Sequence, residues 1–223
     1  MKVLSHSESS LPLVLYEDNH ILAIHKPSGM AVQGESPSLL EWSKQWLKEK
    51  YKKPGNVFVG CVHRLDKKVA GVVVVAKTSK GAARLSEQFR TSSVEKTYRA
   101  VVEGHPPRKR MVLEQPILVE DGRVTISEGE GKLGKLEFQV LEDSEKRSLL
   151  EIRLHSGRKH QIRVQLASQG CPILGDKLYG AKSRLPGGAI ALVATRLQFK
   201  HPTSDKRIVV EVDSDHLQEW LRH

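Results

Sequence analysis

The chain has 223 residues, enough for one sizeable domain or two small ones, and its 39% hydrophobic and 28% charged residues are the proportions of a soluble globular protein. Its 36 Lys+Arg against 26 Asp+Glu leave a net charge of +10, a balance that points to a polyanionic partner, most often nucleic acid. Cys61 and Cys171 form neither a CxxC pair nor a disulfide framework, and no apolar run approaches the ~20 residues of a membrane helix. "MKVLSHSESSLPLVLYEDN" lacks an apolar leader, which sets the expectation of a cytoplasmic protein without membrane contact.

No repeat or low-complexity linker interrupts the chain, so it reads as one continuous domain over 1–223. In "LVLYEDNHILAIHKP" two apolar runs meet around Asp18-Asn19, which predicts a hairpin. "KPSG" supplies a turn, with Pro27 fixing φ and Gly29 allowing an unusual backbone angle. Ser36-Pro37 predicts a cap with proline at the first helical position. Leu39, Trp42, Trp46 and Leu47 then share one helix face, while Lys44 and Lys48 share another.

Val72–Ala76 predicts a buried strand, and Ser79 the cap of a helix that turns Ala82, Leu85 and Phe89 inward. "VEKTYRAVVEG" alternates, placing Val94, Lys96, Tyr98, Ala100 and Val102 on one strand face. The Gly- and charge-rich stretch 104–135 reads as hairpins. "SLLEIRLHSG" predicts a strand, and "RKHQIRVQLASQG" a helix closed by Gly170. Strands near 189–199 and 207–212 precede a short helix capped at Ser214. Strands and helices do not alternate regularly, which predicts an α+β fold with a mixed, mostly antiparallel sheet flanked by helices and loops.

Chemistry concentrates in "CVHRLDKKVAGVVVVAKTSK". Asp66 is the one carboxylate among His63, Arg64, Lys67 and Lys68, at the threshold of a buried strand. Such an aspartate either caps the loop and pairs with Arg64, or is a reacting group that its cations keep ionised. Tyr98 reads as a core tyrosine or as a rigid platform on which a base stacks. Ile162 and Leu166 face a core, with His160, Arg163 and Ala167 on the adjacent stripe. Arg163 is an exposed helix arginine unless it turns inward, where it needs an anion, and Asp66 is the candidate. Asp176, after Gly175, reads as a turn former.

His155 and His160 lie five apart with no HExxH and no Cys/His cluster, so no metal site is expected. Neither GxxxxGK[ST] nor GxGxxG occurs, and "EGEGKLGKLEF" reads as a hairpin, so no nucleotide cofactor is expected.

Four blocks together resemble the RluA-type family of RNA pseudouridine synthases. They are "EDNHILAIHKPSGM", "HRLDKKVAGVVVVAKT", "EKTYRAVVEG" and "HSGRKHQIRVQLASQGCPILGDKLYG", in the family's order and spanning roughly 13–212. The resemblance implies isomerisation of uridine to pseudouridine in a ribosomal or transfer RNA stem-loop, with the uridine flipped out and no cofactor. It implies that Asp66 acts at the ribose as nucleophile or as base, that Arg163 holds it, and that Tyr98 stacks on the uracil. The surrounding His63, Arg64, Leu65, Lys67, Lys68, Lys96, Arg158, Lys159, His160 and Gln161 would contact RNA. No S4-like domain is expected in front of the catalytic blocks, and a monomer is expected.

Two departures stand out. Val69-Ala70 replaces a common Thr-Ser, and Gln165 replaces a frequent histidine, both beside the motifs rather than in them. The rival reading is a non-catalytic RNA-binding module on the same fold. Retention of Asp66, Tyr98 and Arg163 together weighs against it, because binding alone needs no buried ionised pair. The lack of a second partnered carboxylate weighs against a hydrolytic glycosidase, and the lack of a ligand cluster against a metal-dependent nuclease.

Overall fold

A computed structural model describes residues 11–222. In chain order the elements are β1 (Leu13–Glu17), β2 (Ile21–Lys26), α1 (Leu39–Lys50), β3 (Gly60–Cys61), β4 (Ala70–Ala76), α2 (Ser79–Arg90) and β5 (Glu95–Glu103). Then follow β6 (Arg110–Glu120), β7 (Arg123–Ile126), β8 (Lys132–Asp143), β9 (Arg147–Leu154) and α3 (Gln161–Ser168). After 3-10 turns at Lys177–Tyr179 and Pro186–Gly188 come β10 (Leu192–Lys200), β11 (Arg207–Glu211) and α4 (His216–Arg222). The fold is α+β with a mostly antiparallel sheet, as the irregular alternation predicts. Among the described residues no helix is long and apolar enough to cross a membrane.

The chain falls into two compact units, a boundary that the sequence reading did not draw. The first holds the chain up to Val94 together with Arg196–Asp213, and the second holds Glu95–Thr195 together with the C-terminal residues from Ser214.

In the first unit β1, β2 and β4 form an antiparallel ladder, β3 adds two residues to β4, and β10 pairs with β11. The hairpin turn is closed by Asp18, whose Oδ1 accepts from the amides of His20 at 2.7 Å and Ile21 at 2.9 Å. Val72–Val75 are wholly buried on both strand faces, as an uninterrupted β-branched run requires. Ile21, Ala23, Val72, Val74 and Ala76 form a core cluster with Leu85 of α2 and with Leu197, Phe199, Ile208 and Val210. Each Val, Leu, Ile or Phe side chain among them contributes about 1.5–3 kcal/mol by leaving water.

The helix starts differ from the sequence reading. The cap of α1 is Ser38, not Ser36: its Oγ accepts from the Glu41 amide at 3.3 Å while the Glu41 carboxylate accepts from the Ser38 amide at 2.9 Å. That reciprocal box satisfies two helix-end donors, which a serine before proline cannot match, so Pro37 lies outside the helix. Thr78, not Ser79, caps α2, its Oγ1 accepting from the Gly81 amide at 3.1 Å. Leu85 is fully buried, with Ala82 and Phe89 half-buried against the same cluster.

In the second unit the strands run in the order β5-β9-β8-β6-β7, all antiparallel, and β6 and β7 form a hairpin over Asp121-Gly122. Alternation places Tyr98, Ala100 and Val102 on the buried face of β5, as expected. The helix read as "RKHQIRVQLASQG" is shorter than that stretch. It begins at Gln161, because His160 is left-handed at φ +51 and breaks the helical run before it.

Candidate active site

The loop carrying Asp66 is fixed within the first unit by the "KPSG" turn. The Gly29 amide donates to Lys67 O at 2.8 Å, and Ser28 Oγ donates to Lys68 O at 2.8 Å. Gly29 holds φ +86, where a side chain would strain the backbone. Lys26 is wholly buried, and its Nζ donates to Pro27 O at 3.0 Å, Met30 O at 2.8 Å and Lys67 O at 3.2 Å. An ammonium has three donors, and all three end on carbonyls. Burial lowers the Lys26 pKa to about 7, against the pull of the Asp66 charge, which raises it. A Val69 amide donating to Asp66 O at 3.0 Å closes the loop from within.

Around Asp66, which is half-buried, the sequence-predicted residues divide by environment. Leu65 is buried, and His63 belongs to the scaffold: its ring stacks on Phe89 at 4.3 Å and its Nε2 accepts from the Val74 amide at 2.9 Å. Arg64, Lys67 and Lys68 are exposed, Lys67 facing Glu35.

In the second unit Tyr98 is buried on β5 and Lys96 is half-buried two residues before it. Arg163 turns inward, with 4% of its surface exposed. The carboxylate placed on it is Asp176, fully buried: Nε donates to Oδ2 at 2.6 Å and Nη2 to Oδ1 at 2.8 Å. This corrects the reading of Asp176 as no more than a turn former. Its backbone oxygen does accept from the amides of Tyr179 at 3.0 Å and Ala181 at 3.2 Å, but its side chain is the counter-ion of a buried guanidinium. Such two-point pairing fixes the arginine's plane. Tyr179 covers that plane, its ring centroid 5.0 Å from Arg163 Cζ, and its hydroxyl meets His160 Nδ1 at 2.8 Å.

The turn before α3 is organised by Gln161, which is 2% exposed. Its Oε1 accepts from Ser156 Oγ at 2.9 Å and from the Arg158 amide at 3.1 Å, so it builds the turn that presents Arg158 and Lys159 to solvent. Arg158 Nε donates to Leu133 O at 3.1 Å, and Lys159 Nζ to Gly122 O at 3.2 Å. Gln165, one of the two departures, is wholly buried and donates to Gly134 O at 3.0 Å. That hydrogen bond joins α3 to β8.

The structure thus gathers His63, Arg64, Leu65, Asp66, Lys67 and Lys68 on one loop, and Lys96, Tyr98, Arg158, Lys159, His160, Gln161 and Arg163 in the other unit. Sequence reasoning missed Lys26, Tyr179 and the ionic role of Asp176; the "KPSG" and "GDKLYG" blocks held the signal. Among the described residues no group of three or more His, Cys, Asp or Glu is placed to hold a metal ion.

Comparison with known proteins gives a consistent result. The model of the RNA pseudouridylate synthase family matches residues 20–168. Ribosomal large subunit pseudouridine synthase D of Zymomonas mobilis is 33% identical over 222 residues, spanning 92% of this chain and 70% of that protein. Ribosomal large subunit pseudouridine synthase C of Vibrio cholerae is 32% identical over 216 residues, spanning 93% and 68%. Among solved structures, human RNA pseudouridylate synthase domain containing 4 superimposes with a TM-score of 0.77 at 25% identity, covering 92% of both chains. The family match over most of the chain, the identity to these relatives and the shared fold lead to one conclusion: the chain belongs to the RNA pseudouridylate synthase family, in its RluA-type branch.

Proposed function

We propose that this isomerase acts on uridine in ribosomal RNA, with Asp66 as the reacting carboxylate, Tyr98 as the platform beneath the uracil and Arg163 as the group that directs Asp66. The reaction breaks the bond between the ribose and a ring nitrogen, turns the uracil, and joins the ribose to a ring carbon. The proton on that carbon is surrendered and the nitrogen ends protonated, so nothing is gained or lost. One carboxylate at the ribose suffices, where hydrolysis would require a second to activate water. The uridine has to leave the RNA stack, at a cost of a few kcal/mol, and a stacking platform offsets part of that cost.

The observation that carries this reading is the triple hold on the Asp66 loop by Lys26, Ser28 and Gly29. A loop bound at two successive carbonyls presents its carboxylate in one direction, as a reacting group requires. Ribosomal RNA is favoured over transfer RNA because two of the relatives described are named for the large ribosomal subunit.

The test is pseudouridine mapping in ribosomal and transfer RNA taken from a strain lacking the gene and incubated with purified protein. Wild type is expected to form pseudouridine in the ribosomal RNA. Asp66→Asn keeps shape and removes charge, so it should form none while binding the same RNA with unchanged affinity. Turnover by Asp66→Asn would remove Asp66 from the mechanism, and modification of transfer RNA alone would overturn the substrate assignment.

A further inference from the structure

We infer that Lys96 and Arg158 form a subsite for one phosphodiester group of the RNA. This inference rests on the reading of Tyr98 as the platform for the target base. Lys96 lies on the same strand face as Tyr98, two residues away, and is half-buried. Its Nζ rests against Gly157, 3.9 Å from the point a Cβ there would occupy. The next residue, Arg158, is held in place by its amide on Gln161 and its Nε on Leu133 O.

Among the described residues neither cation meets a carboxylate. Three other cations of the same sheet are paired: Arg99 with Glu151 at 3.9 Å, Arg153 with Glu137 at 3.4 Å, and Lys135 with Glu114 at 3.0 Å. Those residues are the more exposed ones, where pairing contributes little. Lys96, the cation for which a counter-charge would matter most, goes without one and has a second cation beside it. Burial and then the charge of Arg158 lower its pKa, so the ligand-free protein holds Lys96 against two opposing effects. An anion brought by a ligand offsets both by favouring the charged form.

The class of anion follows from geometry. A strand advances about 3.3–3.4 Å per residue, so Lys96 and Tyr98 stand roughly 7 Å apart along β5. That is the span between a stacked base and the phosphate of its own nucleotide. A phosphodiester has two unesterified oxygens, one for the ammonium and one for the guanidinium edge.

The test compares wild type, Lys96→Met, Arg158→Gln and the double variant. Without RNA, Lys96→Met should melt about 1–3 °C above wild type, because a repelled, half-buried charge is gone. With an RNA stem-loop, each single variant should lower the log affinity versus log salt slope by about 0.7–0.9, one phosphate contact. The double variant should lose no more slope than either single one, because both cations serve the same phosphate. On ribosomal RNA from the deletion strain, KM for pseudouridine formation should rise with kcat changed less. Lys96→Gln is expected to give the same binding result, so that repacking around methionine is separable from loss of charge.

An active wild type with unchanged slope and KM in Lys96→Met would overturn the subsite while leaving the proposed reaction standing. An inactive wild type would overturn the reaction itself. A wild type stabilised by inorganic phosphate, with RNA binding untouched in Lys96→Met, would assign the pair to a free anion and overturn the RNA contact.

Discussion

At the scale of single residues, Lys26 carries the most consequence. Its folded pKa of about 7 lies below the ordinary lysine value of 10.5, so between these values the unfolded chain binds a proton that the folded chain has released. The linkage sign is then fixed: the stability contribution of Lys26 rises with pH across this window and is lost as pH falls through 7. The difference in unfolding free energy between wild type and Lys26→Met should therefore be flat below pH 7 and rise by ~1.4 kcal/mol per pH unit at its steepest. Urea denaturation of both proteins at a series of pH values measures it. Because the charge on Asp66 raises the Lys26 pKa, the onset of that rise should move to lower pH in Asp66→Asn. A difference that stays flat to pH 10 would mean that the three carbonyls hold Lys26 charged throughout.

At the scale of elements, the Arg163–Asp176 pair ties α3 to the 3-10 turn at Lys177–Tyr179. Asp176→Asn removes the charge from one side of this buried ion pair, a change that typically costs about 3–5 kcal/mol. Chemical denaturation should register that loss, and a cost under ~1 kcal/mol would show that Tyr179 and its neighbours suffice to hold Arg163. Asp176 also shows where sequence reading reaches its limit. The Val72–Val75 strand, the Asp18 hairpin and the alternation through Tyr98 were legible, because each is a local pattern with a local cause. The starts of α1 and α2 were misplaced by two residues and one, where neighbouring serines and threonines compete for one cap. The partner of Arg163 lies thirteen positions away across an irregular turn, and no periodicity announces it. Lys26 was read past because a lysine at a strand end looks solvent-facing. Only the β2–β4 register, which sets Lys26 opposite Gly71, places it inside.

At the scale of the whole molecule, the excess of ten positive charges is an attraction to any RNA, while the reaction asks for no second reactant. Pseudouridine formation on a short stem-loop should thus persist in EDTA and without nucleotides, measured on a substrate that folds without magnesium. An absolute requirement for a transition metal would contradict that.

The interruption of the first unit has a further consequence, for the order in which the protein is made. A ribosome that has delivered residue 94 has supplied β1 to β4 and α2, but not Leu197, Phe199, Ile208 and Val210, which complete their core. All of Glu95–Thr195 emerges first. During synthesis the earliest part of the chain is therefore among the last to finish folding, and Val72 and Val74 stay short of their full apolar cover until β10 and β11 arrive.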